Sequence, residues 1–208
     1  MHLAPLRTRL KESTHDAHTA LERALDLLNP ALRLPDYCSL LARFYAYYLP
    51  LEASLQRTAD RRLVAGRWKC AALADDLRSL GMSATELRSI APAAAPPLRS
   101  VADAVGAMYV VEGSTLGGMI LARHFSARFG LTSRCGLAFF TCYGERTGEM
   151  WQRYLASLAA FDNPRDADRV VAAAVSTFES LAAWLTQPAE PLVGATHNIN
   201  ESERLAAR

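Results

Sequence analysis

The sequence lacks any run of alternating polar and apolar residues, so nothing in it reads as a half-buried β-strand. It has no internal repeat, and its one biased tract is the short alanine–proline run over residues 91–97. Four cysteines are present, Cys38, Cys70, Cys135 and Cys142, and none forms a CxxC pair. That absence argues against a zinc site or thioredoxin-type chemistry. Reduced, buried thiols of a cytosolic protein are the expectation. An excess of one charge is also missing. Lys and Arg number 23 against 21 Asp and Glu, the net charge is +2, and the basic residues are scattered. No nucleic-acid partner is expected from such a balance. No stretch reaches the roughly 18 uncharged apolar residues of a membrane span, and residues 1–7 lack the apolar core of a signal peptide. The expectation is a cytoplasmic protein with no membrane partner.

What is present is helix. With 208 residues, half of them hydrophobic, the chain is long enough for one domain with a sizeable core. Leu6, Leu10, Thr14, Leu21, Leu25 and Leu28 recur every three or four residues, or multiples of that. This spacing predicts a first helix over residues 5–28, closed by Asn29-Pro30. Asp36 is placed to cap a second helix over 37–58, with a kink at Pro50. A third is expected over 69–80, ending at Gly81, then a short turn over 83–90 and a proline-rich linker over 91–97. Helical patterns follow over 101–111, 119–129, 145–161 and 166–185, while 131–142 shows no period. The fold class is all-α: one helical domain over residues 1–185 with a loosely held tail over 186–208.

Between the two central helical patterns lies Val111-Glu112-Gly113-Ser114-Thr115-Leu116-Gly117-Gly118. Its three glycines cost a helix roughly 3 kcal/mol relative to alanines, so the middle is expected to be poor, kinked helix. Gly113 and Gly117 share a helical face, and without Cβ atoms they let something flat approach the backbone. Either a neighbouring helix or a planar ligand meets that description. A phosphate loop does not, because no strand precedes the glycines and no GK[ST] ending follows them.

The first helix carries Lys11, Thr14, His18, Leu21 and Leu25 on one stripe. A histidine beside an apolar face is either a satisfied core residue or a ligand. Glu22, one turn on, is placed to accept from His18 Nδ1, which would leave Nε2 free for a metal. Lys11 lies two turns back, about 10 Å along the axis, a suitable span from an iron to a haem propionate. Glu12-x-x-His15 has the spacing of a di-iron motif, but no second copy exists and a di-iron bundle needs two. His15 has polar neighbours and reads as surface. His124 is open to core, surface or pocket readings, and His2 and His197 lie near the ends.

Two motifs then carry a resemblance. Leu10-Lys11-Glu12-Ser13-Thr14-His15-Asp16-Ala17-His18-Thr19 is similar to the proximal helix of the haem oxygenase family, and Tyr109-Val110-Val111-Glu112-Gly113-Ser114-Thr115-Leu116-Gly117-Gly118 to its distal helix. With Tyr143-Gly144-Glu145-Arg146-Thr147-Gly148-Glu149-Met150-Trp151, the pattern most resembles the bacterial enzymes paired with bacteriophytochromes. The likeness covers about residues 6–185. It implies His18 as iron ligand, Glu22 as its partner, and Lys11 and Tyr109 against propionates, with Thr14 at a matching position and Arg153 as a further propionate partner. It implies Gly113, Ser114, Gly117 and Gly118 on the distal face and Phe178 as a pocket phenylalanine. Animal members have a distal aspartate where this chain has Ser114, so the resemblance leaves the proton path unassigned.

The activity implied is oxidative cleavage of haem b, both cofactor and substrate, to biliverdin, carbon monoxide and ferrous iron. It needs O2 and electrons from a ferredoxin or a reductase, and a bacteriophytochrome is the implied biliverdin acceptor. A non-catalytic haem carrier or sensor on the same scaffold is the alternative. A haem-free relative acting on a thiamin-like substrate would want a pocket cysteine with a carboxylate, and Cys135 and Cys142 show no acidic partner in sequence.

Overall fold

The structure, a computed structural model, describes residues 4–187; the expected tail from 188 onward, with His197, lies outside the described residues, as does His2. Among the described residues are eight α-helices and no strand, so the all-α expectation holds. α1 (Leu6–Leu25) ends three residues early because Asp26 adopts a left-handed conformation, φ 39°, and its N–H closes on the Glu22 carbonyl. α2 (Leu34–Thr58) starts earlier than expected: Pro35 suits the first turn, and the Asp36 carboxylate accepts from the Arg33 N–H at 3.0 Å. It continues through Pro50. A four-residue helix, α3 (Arg61–Val64), has no apolar period to announce it; Asp60 caps it by accepting from Arg62 N–H.

α4 (Cys70–Ser79) and α5 (Ala84–Ser89) follow, the latter closed by a reciprocal Ser83–Glu86 capping box. The chain between Ile90 and Ser100 has no helix, yet Ala93 is buried and its N–H bonds the Ala46 carbonyl at 2.9 Å, so this segment is packed wall as well as connection. α6 (Val101–Phe129) is one continuous helix capped by Ser100, which corrects the expected break at the glycines. Residues 131–143 form turns. α7 (Thr147–Ser157) is flanked by 3-10 turns at Gly144–Arg146 and Leu158–Phe161. α8 (Pro164–Leu185) begins at Pro164, with Asn163 accepting from Asp166 N–H at 3.1 Å.

α6 and α8 form the centre, and α1 lies along α8. α6 is long and apolar enough to cross a membrane, but 56% of its apolar window is buried inside the bundle, which marks it as a core helix. Gly106 makes the α6–α8 crossing possible. A Cβ there would strike the Val170 carbonyl oxygen and come within 2.7 Å of the Ala173 Cβ. Gly106→Ala is therefore expected to destabilise the fold by about 1–3 kcal/mol, despite the better helix propensity of alanine. A lower urea midpoint at unchanged slope would show it; an unchanged midpoint would show that the crossing is looser than described. α1 is tied to the start of α8 by the Leu6 N–H bond to Asp162, 3.0 Å, and by Arg9–Asp168, 2.6 Å.

Candidate functional site

The outward face of α1 carries the chemistry. At about 100° per residue, Arg7, Lys11 and His18 fall within a narrow sector of the helix. The His18 side chain is 52% exposed. Its ring meets Phe178 of α8 edge-on, centroids 5.6 Å apart, so the phenylalanine supports the imidazole without covering it. Its Nε2 lies 3.4 Å from Glu22 Oε1. That corrects the expected geometry, in which Nδ1 faced Glu22. Arg7, Lys11 and His15 line a surface depression beside this sector. Arg7 was not singled out in the sequence, although it sits one turn before Lys11.

Thr14 is buried and donates to the Leu10 carbonyl at 2.8 Å. Its side chain also meets the Tyr109 hydroxyl, and burial raises the tyrosine pKa while Thr14 and the nearby Arg7 charge act to lower it. This contact joins α1 to α6 one turn before the glycines. Tyr109 in turn packs on Trp151 at 5.7 Å.

The three glycines face three different surroundings. A Cβ on Gly113 would rest in ordinary contact, 3.8 Å, on the Trp151 ring. One on Gly117 would meet nothing within 4 Å. One on Gly118 would press at 3.1 Å on the Phe140 carbonyl. So the flat neighbour at Gly113 is an indole, Gly117 opens on free space, and Gly118 faces away from that space, which corrects its expected place on the distal face. Beside Gly117, Leu116 is 42% and Ile120 61% exposed, which makes an apolar strip on the exposed side of α6. Ser114 donates to the Val111 carbonyl at 2.9 Å and is also in hydrogen-bonding contact with the fully buried Tyr48 of α2. Tyr48 carries no local sequence signal beyond its aromatic character.

Behind the glycines is a charged cluster that the sequence did not reveal. Glu112 is fully buried and accepts from Arg67 and from the Tyr143 hydroxyl, 2.8 Å, with Lys69 Nζ 3.6 Å away. Asp76 of α4 is buried too and accepts from Ala138 N–H at 2.7 Å and Phe139 N–H at 2.8 Å, so it anchors the turn segment that carries Phe140 and Tyr143. Desolvation pushes Asp76 up to about 6, against the two backbone bonds that pull it down. A carboxyl raised on folding contributes stability that is complete below its unfolded value, 3.8, and is lost as pH rises through about 6. The stability difference between wild type and Asp76→Asn is therefore expected to move against wild type between those pH values and to stay level above them. A difference that is level throughout would remove Asp76 from this role.

The sequence pattern of the family described as heme oxygenase matches residues 4–187 of the chain. The chain belongs to the haem oxygenase family. No curated protein sequence matches it, but solved structures do. A heme oxygenase 2 from Chlamydomonas reinhardtii, solved without heme, is 19% identical with a TM-score of 0.70, over 90% of this chain and 100% of that one. The Neisseria meningitidis heme oxygenase, in its NO- and CO-bound forms, is 18% identical at 0.71, over 88% of this chain and 91% of that one. The Leptospira interrogans heme oxygenase is 20% identical at 0.71, over 89% and 100%. At these identities the structural likeness speaks for the fold, and the family match for membership.

Haem oxygenases bind a flat, largely apolar macrocycle with a central iron and two carboxylates. The residues here suit such a group: one half-exposed imidazole, a bare backbone patch at Gly117 that a side chain would fill, an apolar strip beside it, and cations at Arg7 and Lys11. Arg153 is placed otherwise. It is exposed on α7 and paired with Glu149 at 2.8 Å, so its charge is engaged within its own helix.

Proposed function

We propose that the chain cleaves haem with His18 of α1 below the macrocycle and the Gly117 backbone of α6 above it, Gly113 being taken up by the Trp151 indole rather than by the macrocycle as the resemblance implied. The observation that carries this reading is the open space at Gly117, the one glycine of the motif that no side chain or backbone fills. When bound, haem supplies the iron that engages O2 and the porphyrin carbon that is oxidised. The chain's residues supply position. A neutral imidazole holds iron without the strong electron push of a thiolate, which suits ring oxidation over O–O cleavage. To hold iron through Nε2 the His18 ring would flip from its present orientation, in which Nε2 faces Glu22, and Glu22 would then accept from Nδ1–H and fix the tautomer.

Arg7 and Lys11 hold the carboxylate edge. Tyr109 reaches toward the same edge through its contact with Thr14. The bare backbone at Gly117 would let the macrocycle approach α6 closely and so fix its position. Ser114, backed by Tyr48, holds a proton donor at the rim of that space, where animal relatives use an aspartate.

The substrate is haem b, the products are biliverdin, carbon monoxide and ferrous iron, and electrons come from an external reductase or ferredoxin. A bacteriophytochrome is the proposed biliverdin acceptor and the cytoplasm the proposed location, both on the strength of the sequence motifs. The proposed domain organisation is one haem oxygenase-like helical domain over residues 1–185 and a C-terminal tail over 186–208; the family match over residues 4–187 supports the former. Reconstitution with haem, followed by ascorbate in air, tests the activity. Loss of the Soret band with growth of a bilin absorbance is expected. A Soret band that persists through repeated additions would make the protein a carrier.

A further inference from the structure

We infer that Glu112 is a positioning residue: buried, and held by Arg67, Lys69 and Tyr143, it sets where the distal helix lies over the macrocycle and so which ring carbon is oxidised. The inference rests on the haem-cleaving reading above and adds a determinant of product identity. It begins with a local difficulty. The motif from Gly113 to Gly118 is weak helix by propensity, yet it is regular helix here. On its open side Leu116 and Ile120 are 42% and 61% exposed and nothing lies within 4 Å of a Cβ at Gly117, so that side contributes little to holding it. What holds it lies behind.

Two ties do so, one at each end of the motif. At about 100° per residue, Glu112 lies about 140° round the helix from Gly117 on one side and Gly118 about 100° on the other, so the two ties flank the bare position from behind. On one flank Glu112 receives Arg67 and approaches Lys69, both from the loop between α3 and α4, and accepts from the Tyr143 hydroxyl. On the other, Gly118 lies against the Phe140 carbonyl. Phe140 and Tyr143 belong to a single turn segment, so the two ties share one support. The cations are themselves fixed. Arg67 also donates to the Met150 carbonyl at 3.2 Å. Lys69 lies 3.8 Å over the Tyr143 ring and donates to Cys142 Sγ at 3.4 Å, and its backbone N–H bonds the buried Glu52.

A fully buried carboxylate that accepts from Arg67 and Tyr143 and has the Lys69 cation beside it is tightly held, whereas an amide in its place accepts less strongly and presents an N–H to two cations. The residue next to Glu112 is Gly113, and Gly117 follows one turn later. A shift at Glu112 is therefore passed directly to the backbone that sets the macrocycle's position.

The experiment compares wild type, Glu112→Gln and Tyr143→Phe. The first reading is amide hydrogen exchange in the haem-free protein, so that failure of the pin and failure of the oxygenase reading separate. Exchange across residues 112–118 is expected to rise about tenfold in Glu112→Gln, with α8 unchanged. The second reading is the bilin isomer composition after turnover, determined by chromatography; a changed isomer ratio is expected. Tyr143→Phe, which removes a single hydroxyl, carries both readings in the same direction if the glutamine variant does not fold. Unchanged exchange at 112–118, exchange raised equally in α8, or an unaltered isomer ratio in a folded, active variant would overturn the inference.

Discussion

His18→Ala is expected to abolish both the histidine-ligated spectrum of the haem complex and turnover, while leaving the fold in place. The side chain is half-exposed, and its contacts are the Phe178 edge and Glu22. Removing it opens no buried cavity, so the stability change should stay within about 0.5 kcal/mol, typical of surface positions. The iron would lose the ligand proposed for it, and among the described residues the other two histidines are placed differently. His15 lies farther round α1, in the wall of the depression that Arg7 and Lys11 also line. His124 has its Nε2 buried without a hydrogen-bond partner, next to Phe125. Added imidazole should restore a histidine-like spectrum and part of the turnover. Full turnover without imidazole would mean that another group holds iron. Glu22→Gln provides the graded counterpart, with a loss of about 10–100-fold, as for other groups that orient a metal-bound histidine.

Gly117→Leu is expected to raise stability and destroy function together. The position is helical, and a Cβ there meets nothing within 4 Å, so the substitution should gain close to 1 kcal/mol of helix propensity in the haem-free protein. The same side chain fills the space assigned to the macrocycle. A displacement of only about 1 Å at a reacting centre costs about 100-fold, and a leucine imposes more. Thermal unfolding of the haem-free protein and kcat/KM measured in parallel should therefore move in opposite directions. A stable variant with wild-type kinetics would place the substrate elsewhere. The contrast with Gly106 is useful, because there the added Cβ strikes backbone and the expected loss is in stability alone.

Much of this site was legible in the residues. The start of α5 at Ser83 is a local pattern, and local patterns survive folding, whereas Asn163 caps α8, which begins two residues before its expected start. The face of α1 that joins Lys11 to His18 follows from helical geometry alone. What could not be read depended on distant partners. The continuity of α6 opposes the propensity of its glycines, because Glu112 and Gly118 are held by residues from 67 to 143. Burial of Glu112 and Asp76 leaves no local trace, since a carboxylate looks the same in sequence whether it meets water or two buried cations. The segment over 131–142 has no period because it is turn structure, held by Asp76 and by aromatic packing around Tyr37, Phe125 and Phe140. The nitrogen of His18 that faces Glu22 is a rotamer choice, which no spacing encodes.

The most direct test is a crystal structure of the haem complex. The expected result is a macrocycle with iron bonded to His18 Nε2, its opposite face against the Gly117 backbone, and its carboxylates at Arg7 and Lys11. A macrocycle bound on another face, or iron held by any other side chain, would contradict the account.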